Sequence, residues 1–333
     1  MQKQPVIRWG IIGCGDVTEV KSGPAFQKVE RSELVAVMRR NGPLARDYAE
    51  RHGVGRWYSD AGKLINDPEV DAVYVATPPG SHAKLSIMAM KAGKPVYVEK
   101  PMAVNYGECL EMVAASEKYG VPLFVAYYRR ALPGFLKVKE LVDSGTIGDV
   151  RMVNIQLYKP VIEADLSETK PWRVDPSIAG GGYFVDLASH QLDYLDYLFG
   201  PVKETISVVK NQAGLYSAED AVSASFLFEQ QVIVTGNWCF TVPEFLDRDT
   251  IEIIGNEGSI VFSCFDFKPV ELRTKGQVKK FEFPKPAHVQ EPLVEKVVGH
   301  LLGTDTSPSM GISAMRTTRV MDRVLEQYYR RLS

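Results

Sequence analysis

The chain has 333 residues, a formal net charge of −2, and hydrophobic and charged fractions of 45% and 24%, the balance of an ordinary soluble globular protein. Its basic residues cluster no further than pairs such as Arg39-Arg40 and Arg129-Arg130, which argues against a nucleic-acid partner. No apolar run approaches the ~20 residues of a membrane helix, so no membrane role is expected, and the length favours two domains over one core.

The opening residues, Met1 to Gly10, hold only a short apolar run interrupted by Arg8, which is neither a signal peptide nor an anchor. Cys14, Cys109, Cys239 and Cys264 are far apart and form no CxxC pair. They read as free thiols of a reducing cytoplasm rather than as disulfides or metal ligands.

Taken in order, Val6 to Ile12 is a predicted strand, followed by Gly13, Cys14 and Gly15 and a helix-capable segment to about Val29. Leu34 to Met38 reads as a second strand, and 42–52 as a helix stopped by Gly53. A short helix over 61–65 precedes the Asp67-Pro68 turn, and the strand over 71–76 is closed by Thr77, Pro78 and Pro79. Ser81 is placed to cap a helix that runs to Lys91 and ends at Gly93. Val96 to Val98 is a short buried strand that must stop at Pro101, because proline has no N–H for the ladder. Asn105 caps a helix to Tyr119, Gly120 stops it, and 122–126 is a further strand. Strands alternating with helices predict a parallel, doubly wound α/β sheet.

From about Asp149 the rhythm changes to period 2, over 151–159, 205–210, 221–228, 232–240, 250–255, 259–265 and 278–283. Short turn-like connections between these runs predict a large, mostly antiparallel open sheet. Helices are expected near 133–144, 182–199 and 312–332. The expected organisation is a nucleotide-binding domain over 1–125 and an α+β domain over 126–333, with the boundary inside 125–150.

Gly13-x-Gly15, placed after the first strand, forms most of a dinucleotide fingerprint, with Asp16 and Val17 opening the following helix. Glycine lets the backbone approach a pyrophosphate, and the helix start offers free N–H groups and a positive dipole end. The third small position is Thr18, so the fingerprint is incomplete, and a plain tight turn is the competing reading. The second strand ends in Arg39, Arg40 and Asn41, with no carboxylate for a ribose 2′-hydroxyl. Two guanidiniums suit a 2′-phosphate, which favours NADP(H) with NAD(H) as the alternative. That one or both are ordinary surface residues is the plainer alternative.

The ends of parallel strands lie along one edge, where such sheets bind ligands. That edge should collect the glycine loop, Arg39 and Arg40, then Thr77, Pro78 and Pro79, then Glu99 and Lys100, then the segment from Tyr127 to Arg130. By itself the Glu99-Lys100 pair reads equally as a solvated loop. His82 opens the next helix and is a cofactor-side candidate, although a histidine there is more often structural.

A second constellation is Gly180, Gly181 and Gly182, followed by Asp186, His190 and Asp193. Asp186 and His190 are four apart on one predicted helix and share a face. A carboxylate beside an imidazole raises its pKa, which suits a general acid/base near neutrality. A structural Asp–His pair is the competing reading. No HExxH, GxSxG or Cys-His arrangement supports hydrolysis, and five scattered histidines do not suggest a metal site.

With these residues in place the chain resembles the Gfo/Idh/MocA oxidoreductases, relatives of glucose–fructose oxidoreductase and inositol dehydrogenase. The motifs are IIGCG at 11–15, VDAVYVATPPGSHA at 70–83, AGKPVYVEKP at 92–101, SGTIGDV at 144–150 and GGGYFVDLASHQLD at 180–193. The resemblance implies a Rossmann domain, a C-terminal α+β domain whose open sheet often joins subunits, a nicotinamide cofactor, and a sugar, polyol or related carbonyl substrate. It carries catalytic roles to Lys100, Asp186 and His190, and substrate-side positions to Tyr128 and Arg129, with Trp172 and Arg173 as further pocket candidates. Thr18 and Arg39 depart from the common pattern.

The expected chemistry is metal-free, reversible hydride transfer between NADP(H) and a carbohydrate-like alcohol or carbonyl. His190 exchanges the hydroxyl proton, Lys100 steadies the reacting oxygen and Asp186 tunes the site. For this, Lys100 must meet Asp186 and His190 across an interdomain cleft. Redox-assisted glycoside cleavage with tightly held nicotinamide, a dinucleotide-sensing regulator and a scaffold are the rivals. The wide sheet predicts a homodimer or homotetramer.

Overall fold

The computed structural model describes residues 5–330; the first four residues and Leu332, the end of the predicted tail helix, lie outside them. By internal contact the chain divides into two units, 1–132 with 286–315, and 133–285 with 316–333.

The first unit is built on β1 (Ile7–Ile12), β2 (Ser32–Met38), β3 (Arg56–Tyr58), β4 (Ala72–Val75), β5 (Val96–Val98) and β6 (Leu123–Val125). They pair in the order β3-β2-β1-β4-β5-β6, all parallel, which is the doubly wound order of dinucleotide-binding sheets. β3 was not expected, because Arg56 and Trp57 are exposed and leave no apolar signature. The strands β4, β5 and β6 are buried throughout, as a sheet covered on both faces requires. Alternate residues feed two cores: Val73, Val75, Val96 and Val98 on one face, Tyr74, Tyr97 and Phe124 on the other.

The helices of this part are α1 (Asp16–Val20), α2 (Ala25–Lys28), α3 (Gly42–His52), α4 (Ala61–Ile65), α5 (His82–Lys91) and α6 (Tyr106–Tyr119). The helix expected from the glycine loop to Val29 is therefore broken in two. A Cβ at Gly23 would lie 2.2 Å from the Thr18 carbonyl oxygen and 2.4 Å from the Tyr48 hydroxyl, so the chain turns there at its closest approach. Ser81 stands at the N-cap position of α5 but its side chain makes no cap bond; it ends a 3-10 turn and its hydroxyl donates to Thr77 Oγ1 at 2.8 Å. Asn41, Asp60 and Asn105 do cap α3, α4 and α6.

The second unit starts with α7 (Pro133–Asp143) and β7 (Val150–Pro160), followed by the short helices α8 (Glu163–Leu166) and α9 (Pro176–Ala179). The helix expected over 182–199 is a π-turn at Phe184–Ala188 that leads into α10 (Ser189–Phe199). Then come β8 (Val202–Lys210), β9 (Ala221–Phe228), β10 (Ile233–Val242), β11 (Arg248–Gly255), β12 (Gly258–Phe262), β13 (Val270–Thr274) and β14 (Gln277–Phe281). The sheet order is β14-β13-β12-β11-β7-β10-β9-β8, antiparallel except where β7 meets β10. Alternation sorts its faces. Val153, Ile155 and Leu157 are buried, whereas Asn154 and Gln156 between them are not. The ring of Phe184 packs edge-on against Trp238, and Tyr194 against Phe262, which seats the π-turn and α10 on the inner face.

The chain ends with α11 (Glu291–Leu301) and α12 (Gly311–Arg330). Leu293, Val294, Val297 and Val298 of α11 complete the core around Tyr74, Tyr97 and Phe124 in the first unit. α11 adds a helix to those expected from the sequence, and α12 corresponds to the one expected near 312–332.

Candidate active-site residues

In the first unit the register aligns Ile12 with Met38 and Val75, Val75 with Val98, and Val98 with Val125. The residues that follow, from Gly13, Arg39, Ala76, Glu99 and Ala126 onward, therefore share one edge of the sheet. Gly13 has φ +94°, and a Cβ on it would lie 2.8 Å from Thr77 Cγ2 and 2.9 Å from the Thr77 nitrogen, so the two strand ends touch only because it is glycine. Around Gly15 the nearest atom to a Cβ would be 3.9 Å away. The turn is thus tight against the sheet at Gly13 and open at Gly15, a cradle that fits a pyrophosphate. Asp16 is exposed and Val17 half-buried at the start of α1.

Thr18 is fully buried, and its hydroxyl accepts the Gly15 N–H at 2.9 Å and donates to the Gly15 carbonyl at 2.8 Å. The missing third glycine is therefore replaced by a side chain that ties the loop. Cys14 between the glycines is buried, and burial pushes its thiol up to about 11 against the pull of the nearby Arg39 charge. Arg39 and Arg40 are both exposed.

Thr77 is half-buried, Pro78 exposed and Pro79 buried. His82 is fully buried, with Nε2 2.7 Å from the Thr77 carbonyl oxygen and Nδ1 3.0 Å from that of Pro101. Burial lowers its pKa. The neutral ring has one N–H to donate to one of the two carbonyls, and it packs between two strand-end turns. The Glu99 side chain is also turned inward. It is 6% exposed; Tyr74 donates to its Oε1 and the Lys100 N–H donates to Oε2 at 3.1 Å. Gln290 Nε2 also donates to Oε1, and Gln290 accepts from the Tyr97 hydroxyl at 2.9 Å. Lys100 itself is half-buried at the strand end. Beyond β6, Tyr128 and Arg129 lie in a 3-10 turn, with the Arg129 guanidinium 4.9 Å from the Tyr128 ring centroid. Arg130 bonds the Pro308 carbonyl at 2.9 Å and Ser313 Oγ at 3.1 Å.

In the second unit Trp172 and Arg173 share a 3-10 turn, the guanidinium 4.5 Å over the indole. Arg173 Nε is 3.4 Å from Asp186 Oδ2, so these two candidates, 13 residues apart in sequence, are brought together. His190 is 3% exposed and its ring centroid is 6.0 Å from that of Phe265, edge to face. Asp193 is 1% exposed with Thr317 Oγ1 3.4 Å from its Oδ1, so it faces α12.

Sequence reasoning missed three supports of this group. Asp249 is buried and its carboxylate accepts the N–H groups of Cys264, Phe265 and Asp266, which fixes the loop that carries Phe265. Asp165 is buried and accepts the Tyr183 hydroxyl at 2.6 Å, which anchors the segment leading to Trp172. Glu219 is buried and accepts the Gly182 N–H at 2.8 Å. Single acidic residues in a strand end, a one-turn helix and a loop carry no periodic signal; only the three-dimensional partner shows their use.

Residues 7–127 match the model of an oxidoreductase family with an NAD-binding Rossmann fold, and 135–261 match the GFO/IDH/MocA C-terminal domain. An oxidoreductase P35 of Formosa agariphila is 43% identical over 317 residues, 95% of this chain and 97% of that protein. A 1,5-anhydro-D-fructose reductase of Ensifer adhaerens is 28% identical over 256 residues, 76% of this chain and 75% of that protein. The structure of a levoglucosan dehydrogenase with NADH and levoglucosan superposes with a TM-score of 0.86 at 22% identity, covering 97% of each chain, a likeness of fold. Fold and sequence together define an oxidoreductase with an NAD-binding Rossmann domain. The chain belongs to the Gfo/Idh/MocA family. Among the described residues no helix is long and apolar enough to cross a membrane.

Proposed function

We propose that the enzyme moves hydride reversibly between NADP(H) and a CH–OH or C=O group of a carbohydrate-like small molecule. The observation that carries the reading is the paired arrangement in the second unit: a buried His190 one helical turn beyond Asp186, with Arg173 drawn onto Asp186 from a tryptophan-bearing turn. A relative that reduces an anhydro-sugar supports the substrate class.

A bound nicotinamide would supply the hydride acceptor or donor for the carbinol carbon. Gly13, Gly15, Asp16 and Val17 form its phosphate-side turn, with Thr77, Pro78 and Pro79 beside them and the Glu99 backbone leading to Lys100. The Gly13 and Cys14 N–H groups both donate to the Met38 carbonyl, so Arg39 follows directly on the residue that holds the loop, which supports a guanidinium there for a 2′-phosphate. His190 takes the hydroxyl proton on an imidazole nitrogen in oxidation and gives it back in reduction. Lys100, in the first unit, would supply a donor that stabilises developing negative charge on a reacting oxygen. Asp186 orients the site, and Tyr128, Arg129, Trp172 and Arg173 bind hydroxyls or stack on a sugar face. Turnover of NADPH and NADH against aldoses, inososes and keto-sugars tests this. Activity with NADPH and at least one of them is expected; none across the panel would end the reading.

A homodimer or homotetramer through the outer face of the eight-stranded sheet is part of the proposal. That face carries Asn154, Gln156, Thr235, Asn237, Thr250 and Glu252 at its centre, and Ile206 and Val208, 74% and 66% exposed, on edge strand β8. Exposed apolar side chains on an edge strand favour a covering partner. Sedimentation should give a multiple of the monomer mass. Four free thiols, three of them buried, support a reducing cytoplasm as its location.

A further inference from the structure

We propose that Glu219 is a positioning residue for Asp186, acting through the backbone of Gly182; the inference rests on the reading of Asp186 and His190 as the acid/base end of the site. Glu219 has no exposed surface. Its Oε1 accepts the Gly182 N–H at 2.8 Å and its Oε2 accepts the Tyr329 hydroxyl of α12 at 2.5 Å. The carbonyl of the same Gly182 accepts the Asp186 N–H at 3.2 Å. A single residue thus separates the buried carboxylate from the backbone that carries the Asp186 side chain.

The local backbone requires such a hold. Asp186 lies inside the π-turn of Phe184–Ala188, a wide and intrinsically poor helical geometry that usually occurs as a single turn at functional sites. Gly181 and Gly182 before it are explained by close packing more than by flexibility. A Cβ at Gly182 would lie 2.8 Å from both Ala218 Cβ and the Glu219 carbonyl oxygen, and one at Gly181 would lie 2.5 Å from Val185 Cγ2, 3.0 Å from Leu325 Cδ1 and 3.2 Å from Glu219 Oε1. Neither glycine has positive φ, so each is needed for space.

A carboxylate is a costly occupant of this volume, because burial disfavours its charge and pushes its pKa up. What it supplies that an apolar side chain lacks is an acceptor for two donors, the buried N–H at the start of the Asp186 turn and the hydroxyl of half-buried Tyr329. Glutamine at 219 keeps that acceptor. Leucine fills the volume without it.

The test compares Glu219→Gln, Glu219→Leu, Tyr329→Phe, Asp186→Asn and the double variant Glu219→Leu/Asp186→Asn in the full chain. It uses the best-turned-over member of the sugar panel, with sugar and cofactor each varied at saturation of the other. Glu219→Leu should lower kcat roughly tenfold to a hundredfold with the cofactor KM unchanged, as misplacement of a site group does. Glu219→Gln should stay within about threefold of the parent, and the double variant should be no slower than Asp186→Asn alone. Unchanged kcat in Asp186→Asn would overturn the reading of the site. A slow Asp186→Asn with a normal Glu219→Leu, or with fully multiplicative losses in the double variant, would overturn the positioning role. Amide hydrogen exchange needs no substrate: Gly182 and Asp186 should lose protection in Glu219→Leu while 192–199 keep theirs, and equal protection would overturn the tether. If Glu219→Leu does not fold, the order of kcat decides: Tyr329→Phe severalfold below Glu219→Gln supports it, the reverse overturns it.

Discussion

The hydroxyl of Thr18 accepts the Gly15 N–H at 2.9 Å and returns a hydrogen bond to the Gly15 carbonyl at 2.8 Å, so one buried side chain closes the turn on both sides. The usual third glycine of such a loop admits close packing; here packing and polar closure come from the same residue. Thr18→Val keeps the shape and removes both bonds, with an expected loss of about 1–3 kcal/mol. Dinucleotide affinity should fall with it. Melting curves and a fluorescence titration with NADPH check both; unchanged values would leave Thr18 as mere filling.

Arg39 and Arg40 end β2 beside the glycine loop and are exposed. If they hold a 2′-phosphate, replacing both with serine should weaken NADPH binding at least tenfold, about 1.4 kcal/mol or more, and leave NADH nearly unchanged. Parallel losses for both cofactors, or none, would remove the arginines from cofactor choice.

His190→Ala should reduce turnover by ~10²–10⁴-fold, the usual worth of a positioned acid/base. Cofactor affinity should persist, since His190 lies in the second unit. Lys100→Met should lower kcat also, through loss of a donor to the reacting oxygen. Single-turnover measurements with each variant distinguish lost chemistry from lost binding, and near-normal rates would withdraw the assigned roles.

Tyr74 lies 3.0 Å from Ser22 Oγ and donates to Glu99 Oε1 at 2.5 Å, all within the buried sheet face under α11. A hydrogen bond to a buried charged group contributes more than a neutral one, so Tyr74→Phe should destabilise the protein by about 2 kcal/mol. Gln290→Leu should cost a similar amount, because it strips a donor from the same oxygen. Chemical denaturation measures both. Losses below about 0.5 kcal/mol would mean that Glu99 is not held by these partners.

Glu19 is gripped by Arg51 and also bonded by His52, and the Arg51 hydrogen bond leads in holding its carboxyl at about 2 instead of 4.5. The folded value lies below the unfolded one, so ionised Glu19 contributes stability above about pH 4.5 that is lost as pH falls toward 2. The pair is partly exposed, so the contribution is modest and weakens with salt. The stability difference between the parent and Glu19→Gln should shrink across that window. A difference constant with pH would rule out the linkage.

The sequence reading was accurate where a local pattern has a physical cause. Fully apolar runs marked β4, β5 and β6, and alternation marked β7 and β9 to β12. It failed where that cause is absent. Arg56, Trp57 and Tyr58 form an edge strand with two exposed side chains, and β13 buries only Val270 fully. The π-turn at Phe184–Ala188 is indistinguishable from α-helix by spacing, because the glycines and Glu219 that shape it act from outside the segment.

The sequence by itself determined the alternation of strands and helices, the period-2 sheet that follows, and the order in which polar groups arrive at one sheet edge. Those are consequences of backbone geometry and of side chains a few residues apart. Only the tertiary structure decided what each polar group does there. Glu99 meets Tyr74 and Gln290, 25 and 191 residues away, and Gly182 meets Glu219, 37 residues away. A buried carboxylate must find donors, and the fold supplies them from strands and loops whose neighbourhood no periodicity encodes. His82 shows the same division. Its place at the start of α5 was legible, but the two carbonyls beside its ring nitrogens belong to turns that only the folded sheet brings together.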